Sequence, residues 1–186
     1  MKLAIYCGSS EGRDPGHVER TAAVGRALAQ RGIGIVYGGG RVGLMGTLAD
    51  AALAEGGTVI GVIPKALEAR EVAHRGLTEL HVVADMHERK ALMAELSDGF
   101  IALPGGIGTL EELFESWTWG LLGFHRKPCA LLNAAGYYDE LCRFIDKMVD
   151  EGFLQPHFRD MLVISSELEI LLKAFETYQP PVRKGG

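Results

Sequence analysis

The sequence predicts an α/β protein: a doubly wound, parallel, Rossmann-like sheet in a single domain. Three observations carry that expectation. Short apolar runs of strand length alternate with segments whose apolar residues recur at helical spacing. The connections between them are short, as parallel strands with crossover helices require. Glycine is abundant, at 25 of 186 residues, and its clusters fall at the ends of apolar runs rather than in a low-complexity linker.

Residues 2–7 read as the first strand, with Gly8-Ser9-Ser10 as a polar loop behind it. Asp14 and Pro15 supply an N-cap and a Pro at N1 for a helix that runs to about Arg31 and stops at Gly32, with Val18, Ala22, Gly25 and Leu28 facing inward. Residues 33–37 form a second strand that empties into Gly38-Gly39-Gly40-Arg41-Val42-Gly43-Leu44-Met45-Gly46, and the helix after it ends near Gly56-Gly57. Residues 58–63 are a third strand, closed by Pro64. Residues 65–76 have mixed charge and little periodicity, and read as an excursion over the sheet's edge.

A fourth strand spans 79–83, a helix 86–97 and a fifth strand 99–103. That strand leads into Pro104-Gly105-Gly106-Ile107-Gly108-Thr109-Leu110-Glu111-Glu112, on which the chain is centred. Leu110, Leu113, Phe114, Trp117 and Leu121 mark the following helix, in which Trp117 and Trp119 are expected in the core or at a subunit interface. Residues 128–132 make another strand, 137–151 a helix and 161–164 a last short strand. Ser166-x-x-Glu169 then reads as the cap of a final helix with Leu168, Leu171, Leu172 and Phe175 inward. The domain is expected over residues 1–178, with 179–186 a loose tail.

At 186 residues and 47% hydrophobic content the chain can bury a sizeable core. A net charge of −5 and a pI near 5.7 argue against a nucleic-acid polymer as partner, though not against a mononucleotide. Cys7, Cys129 and Cys142 are widely spaced and lack metal-ligand spacing, as do the six histidines. Neither a disulfide framework nor a zinc site is expected, and a cytoplasmic setting is. No secretory leader or membrane span is expected.

The glycine turn at 104–109 sits between a strand and a helix. Helix N-terminal amides point outward there, the dipole is positive, and glycine lets a phosphate approach. Thr109 reads as the N-cap, with Glu112 three residues on. Two readings of Glu112 stay open: a capping-box partner of Thr109, or an acid at the sheet's ligand-binding edge. Gly38-x-Gly40-x-x-Gly43 matches the dinucleotide fingerprint, but the next strand ends in Pro64-Lys65 instead of the acid that would hold a ribose diol. A nicotinamide or flavin dinucleotide is therefore disfavoured, while phosphate binding survives. Neither turn contains the Gly-Lys-Ser/Thr of a P-loop. Arg89 interrupts the apolar stripe of Met86, Met93 and Leu96, in a first helical turn where the dipole disfavours a cation; it reads either as a snorkelling or paired structural arginine or as a site residue.

Gly8-Ser9-Ser10, the GGGRVGLMG stretch, MHERK and PGGIGTLEE together resemble the Lonely Guy family of cytokinin riboside 5′-monophosphate phosphoribohydrolases, long mislabelled as lysine decarboxylases. The motifs run from Cys7 to about Pro128. The resemblance implies a Rossmann-like homodimer that hydrolyses the N-glycosidic bond of AMP or N6-substituted AMP, with neither metal nor cofactor. It implies Arg89 and Glu112 as the catalytic pair. It also implies a nucleotide pocket lined by Ser9, Ser10, Gly39, Gly40, Gly43, Met45, Glu71, Met86, Lys90, Gly105, Gly106, Ile107, Gly108, Thr109, Leu110, Glu111 and Thr118. The alternative is a nucleotide or molybdenum-cofactor carrier of the same fold, which needs the glycine turns but no positioned acid. A pyridoxal-phosphate decarboxylase is poorly supported, because Lys65 and Lys90 lack apolar surroundings.

Overall fold

The computed structural model describes residues 1–68 and 72–180. Seven strands, β1 (Lys2–Tyr6), β2 (Gly34–Tyr37), β3 (Val59–Pro64), β4 (Glu79–Val83), β5 (Gly99–Ala102), β6 (Cys129–Leu132) and β7 (Leu162–Ser165), form one sheet in the order β4-β3-β2-β1-β5-β6-β7. All its pairings are parallel. The helices are α1 (Gly16–Gln30), α2 (Gly43–Ala54), α3 (Lys65–Glu68), α4 (Met86–Leu96), α5 (Ile107–Leu122), α6 (Asp139–Asp150), α7 (Pro156–Arg159) and α8 (Leu168–Glu176), with a 3-10 turn at Ala134–Gly136.

The period-two geometry of a strand divides β1 between two cores. Leu3, Ile5 and Cys7 pack with Val24 and Leu28 of α1, Leu44 and Leu48 of α2, and Leu171 and Phe175 of α8. Ala4 and Tyr6 face the opposite layer, with Met93 of α4, Leu113 and Trp117 of α5, and Ile145 of α6. Covering both faces explains why the strands read as continuous apolar runs rather than alternating ones. Trp117 is in the core, and its indole N–H donates to the Phe158 carbonyl at 3.1 Å, which satisfies the one polar atom of a large buried ring. Trp119 is half-buried.

Chain order places a topological switch point between β1 and β5, held in register from Leu3 opposite Gly99 to Tyr6 opposite Ala102. From β1 the chain winds outward through β2, β3 and β4; from β5 it winds the other way through β6 and β7. The loops after these two central strands therefore diverge and leave a crevice at the carboxyl edge.

Two helix starts differ from expectation. At α5 the N-cap is Gly106, not Thr109, and Thr109 lies buried inside the first turn. There is consequently no Thr109–Glu112 capping box. The glycine ends the extended strand one turn earlier than a threonine cap would, because Gly106 takes the extended cap conformation and its carbonyl already accepts from Leu110 N. At α8 the cap position is Glu167, and the local hydroxyl bond runs from Glu167 N to Ser165 Oγ instead of involving Ser166. A reciprocal cap does form at α4: Asp85 accepts from Glu88 N at 2.9 Å and the Glu88 carboxylate accepts from Ala84 N at 2.7 Å. At α1, Asp14 accepts from Gly16 N at 2.9 Å and stands in for a cap beside Pro15.

Candidate active site

A cavity of about 280 Å³ opens at the switch point. Its floor is Cys7, Gly8 and Ser9 from the loop after β1, and one wall is Gly106, Ile107, Gly108 and Thr109 at the start of α5. The first-turn amides of a helix have no carbonyl one turn earlier to accept them, so this wall presents backbone donors at the positive end of a 16-residue helix. Met45, Leu67 and Met86 give the opposite side a soft apolar surface. Arg89, Glu111 and Glu112 supply its charge.

Glycine is required where the loops meet. Gly43 opens α2 at φ +57°, and a Cβ there would lie 2.4 Å from the backbone of Ser9 and Ser10, so the second glycine turn packs directly beneath the first loop. Gly38 sits against Arg89: a Cβ would fall 1.9 Å from Nη2. That close approach is what lets the guanidinium reach the Gly38 carbonyl, to which Nη2 donates at 3.1 Å.

Arg89 is 5% exposed, on the first turn of α4, where the dipole opposes it. A buried cation needs compensation, and among the described residues the Gly38 carbonyl, the Met86 sulfur at 3.7 Å from Nη1, and Glu112, whose Oε1 lies 3.8 Å from Nη2, contribute to it. The Glu112 side chain is 12% exposed. Its field reaches the sheet. Burial and then the Glu112 charge push the Tyr6 phenol well above its ordinary range, and the same two causes raise the Cys7 thiol. Cys7 is thus an inert wall rather than a nucleophile. Tyr6 shares a 2.8 Å hydrogen bond with Ser116 Oγ, which donates to the Glu112 carbonyl at 3.0 Å and ties α5 to β1 just below the acid.

The residues expected to form a pocket divide into several groups. Ser9, Met45, Met86, Arg89, Gly106, Ile107, Gly108, Thr109, Glu111 and Glu112 line the one cavity. Ser10 and Gly105 line a neighbouring cavity of about 240 Å³ with Arg13, His17 and Tyr137, separated from the first at Gly8 and Gly106. Gly39 and Gly40 support the site from behind: the Gly39 carbonyl accepts from His74 N at 2.9 Å, and Gly40 bridges Ala73, so the turn anchors the 72–78 segment. Gly43 packs under Ser9 and Ser10 as described, and Leu110 packs against the core. Lys90 is not among the lining residues; its ammonium bonds Glu111, which does line the cavity, at 2.5 Å and Glu115 at 3.0 Å. Thr118 is exposed, three turns into α5 and off the cavity. Glu71 lies outside the described residues.

Sequence reasoning missed Leu67, Cys7 and Gly8 as lining residues, and Gly38 as the support of Arg89. Gly8 and Gly38 carried a signal, since each lies at the carboxyl end of a central strand. Leu67 sits in a segment without periodicity and carried none. Among the described residues no three His, Cys, Asp or Glu side chains are grouped to hold a metal ion, and no helix is long and apolar enough to cross a membrane.

Comparisons with known proteins bear on the family and the fold. The model of the family described as possible lysine decarboxylase matches residues 45–175. The chain is 52% identical to the cytokinin riboside 5′-monophosphate phosphoribohydrolase of Rhodococcoides fascians, over 94% of this chain and 89% of that one. It is 50% identical to a like-named enzyme of Arabidopsis thaliana, over 96% and 82%. Among solved structures, the molybdenum cofactor binding protein of Rippkaea orientalis superimposes with a TM-score of 0.69 at 21% identity, covering 95% of each chain. The molybdenum cofactor carrier protein of Chlamydomonas reinhardtii gives 0.68 at 19%, covering 95% and 96%. At that identity these two share the fold alone, whereas matches near 50% over almost the whole length decide kinship: the chain belongs to the Lonely Guy family, the one whose model bears the lysine decarboxylase description.

Proposed function

We propose that the protein hydrolyses the N-glycosidic bond of adenosine 5′-monophosphates, N6-substituted cytokinin forms included, to free base and ribose 5-phosphate. The observation that carries this reading is a carboxylate, Glu112, held beside a buried arginine in the same cavity as the free amides of the α5 N-terminus. The near-50% identity to enzymes named for that activity supports it. A carrier of the same fold needs the amides but has no use for a positioned acid.

The 5′-phosphate docks on the Ile107, Gly108 and Thr109 amides, where dipole and donors favour an anion. Glu112 is four residues beyond Gly108, about 6 Å along the helix axis, which is the order of the span from the phosphorus to the anomeric carbon. As the C–N bond breaks, positive charge grows on C1′ and O4′ of the ribose. The ionised Glu112 stabilises that charge and orients the attacking water, whose proton ends on the departing base. Arg89 balances the charge of Glu112 in a partly desolvated site. Met45, Met86 and Leu67 pack the base, and the docked phosphate aligns the reacting carbon without itself changing.

The active unit is read as a homodimer. On α5, Ile107, Phe114, Thr118, Leu121 and Leu122 fall on one face, and Ile107 and Leu122 are 89% and 50% exposed. A second copy on this face would cover apolar surface and give Thr118, remote from the cavity of its own chain, a route to the partner's cavity. The three free cysteines fit a reducing cytoplasm.

The test is incubation of the pure protein with AMP, isopentenyl-AMP and adenosine, with detection of free base and ribose 5-phosphate. Both monophosphates should be cleaved and adenosine far more slowly. Equal turnover of adenosine and AMP would remove the phosphate-handle argument, and equal cleavage of pyrimidine nucleotides would remove the adenine assignment.

A further inference from the structure

The donors assigned to the 5′-phosphate are backbone amides, and an amide points where its peptide plane points. In a trans peptide the carbonyl of one residue and the N–H of the next face opposite ways, so a group that holds the carbonyl also aims the N–H. From Leu103 to Ile107 four such planes follow one another. The Leu103 carbonyl accepts from Tyr138 Oη at 2.6 Å, and the Pro104 carbonyl from Gly8 N at 3.1 Å. The Gly106 carbonyl accepts from Leu110 N at 3.2 Å, within the first turn of α5. Three of the four planes are thus fixed by the core, the loop after β1 and the helix.

The fourth plane, between Gly105 and Gly106, has a glycine on each side. Turning a peptide plane changes ψ of the residue before it and φ of the residue after it, and both are loosest at glycine. A Cβ at Gly106 would meet nothing within 4 Å, which leaves that residue room to turn. Tyr137 supplies the hold: its hydroxyl donates to the Gly105 carbonyl at 2.6 Å. The ring behind that hydroxyl is set edge-on against His17, with centroids 5.5 Å apart, and against Tyr138, at 4.8 Å. Tyr137 lines the neighbouring cavity and not the first, whereas Gly106 borders both. With the Gly105 carbonyl turned toward Tyr137, the Gly106 N–H is turned away from it, toward the first cavity, and it has no acceptor among the described residues.

We infer that Tyr137 is a positioning residue that works from behind the glycine turn: its hydroxyl fixes the Gly105–Gly106 peptide so that the Gly106 N–H joins the Ile107, Gly108 and Thr109 amides as a donor to the 5′-phosphate. This rests on the reading of the first cavity as the site of a nucleoside monophosphate. Without the hydroxyl the plane turns between orientations, and part of the binding energy goes to selecting the productive one. The loss falls on ligands that carry a phosphate and spares those that do not.

Tyr137→Phe tests this, because it removes the hydroxyl and keeps the ring on His17 and Tyr138; the variant should melt close to wild type. Ribose 5-phosphate, the product that retains the phosphate, should bind it about tenfold more weakly by calorimetry, as one lost hydrogen bond to a charged group would give. The variant's kcat/KM should fall about tenfold on AMP and by less than about twofold on adenosine. Arg13→Met, on the wall of the neighbouring cavity, should hold ribose 5-phosphate within about twofold of wild type, since surface charge off the site is largely screened. Equal losses on AMP and adenosine would make Tyr137 a general structural residue and overturn the inference. So would an unchanged ribose 5-phosphate affinity in Tyr137→Phe, which would show the plane held by another group. An Arg13→Met loss as large as that of Tyr137→Phe would also overturn it, by placing the phosphate in the neighbouring cavity on the tyrosine itself. A wild-type protein that neither binds ribose 5-phosphate nor hydrolyses AMP would remove the proposed function and the inference together, whereas an active wild type with an indifferent Tyr137→Phe removes the inference alone.

Discussion

Glu112→Gln separates a structural from a catalytic acid, and the structure supplies the magnitudes. No capping box exists to lose, because Gly106 caps α5 and Thr109 is already helical. What Glu112 does for stability is balance Arg89. At 3.8 Å and an effective dielectric near 20 the gross Coulomb term is roughly 4 kcal/mol. Desolvating both groups offsets part of that, and glutamine keeps the volume and a polar head. Neutralising Glu112 should therefore cost no more than about 3 kcal/mol of stability, the low end for breaking a buried pair. Catalysis should suffer independently. If the carboxylate stabilises an oxocarbenium-like state, losing its charge cuts kcat by at least ~100-fold, about 2.7 kcal/mol of barrier. AMP affinity should hold, since the α5 amides are untouched. The assay is turnover and AMP binding at a temperature well below the melting point of the variant, with melting curves beside wild type. Glu95→Gln, an exposed carboxylate on the neighbouring helix, is the control. A Glu112→Gln protein that melts lower but turns over normally would refute the reasoning.

Two further perturbations follow from the site and its surroundings. Gly38→Ala places a methyl 1.9 Å from Arg89 Nη2, so the guanidinium must leave its carbonyl; kcat should collapse as in an Arg89 deletion, with about 1–3 kcal/mol of stability lost to overpacking, and normal turnover would refute the close approach. His125 uses both ring nitrogens as a neutral imidazole: Nε2 donates to the Ser116 carbonyl at 2.8 Å and Nδ1 accepts from Lys127 N at 3.1 Å. Burial, together with the nearby Lys127 charge, pushes its pKa down, with the Ser116 bond opposing. Below its ordinary value of about 6.5 the unfolded chain then binds the extra proton, so His125's contribution is full above that pH. It is lost as pH falls toward the depressed folded value, by no more than about 1.4 kcal/mol per pH unit. Denaturant melts at several pH values should show a shallower acid loss in His125→Phe than in wild type, and parallel profiles would refute the assignment.

The strands were legible to within a residue or so because parallel strands buried on both faces leave continuous apolar runs, and Tyr37, Phe100 and Leu131 all sit in such runs. The Arg89–Glu112 encounter was only half legible. An arginine in an apolar stripe and an acid after a glycine turn each carry a signal, but their meeting depends on the strand order, which places β5 beside β1 rather than beside β4. The Thr109 cap was misread because threonine is a strong N-cap residue and nothing local shows that Gly106 has already ended the strand. Lys90 enters the expected pocket through the family resemblance and not through any local pattern of its own. Its pairing with the two glutamates that α5 brings opposite it depends on the fold and left no local signal.

The solved structures of molybdenum cofactor proteins show that this backbone also occurs in chains of about 20% identity. Glycine turns at the switch point are what any such fold offers an anion: backbone donors that need no particular side chain. On the proposed function, chemistry is an addition to that platform, and the Arg89–Glu112 pair assigned to it costs stability. Arg89 stands at the wrong end of a helix dipole, the glycine at 38 weakens its strand end, and Glu112 is a carboxylate with a side chain only 12% exposed. A chain that only carried a ligand would gain by replacing this pair with apolar residues of like volume, as buried ion pairs allow. Replacing Arg89 and Glu112 together by Met and Leu should accordingly leave melting at or above the wild-type value and keep AMP bound through the α5 amides while abolishing hydrolysis. A double variant that no longer folds, or no longer binds AMP, would show instead that the pair holds the site together.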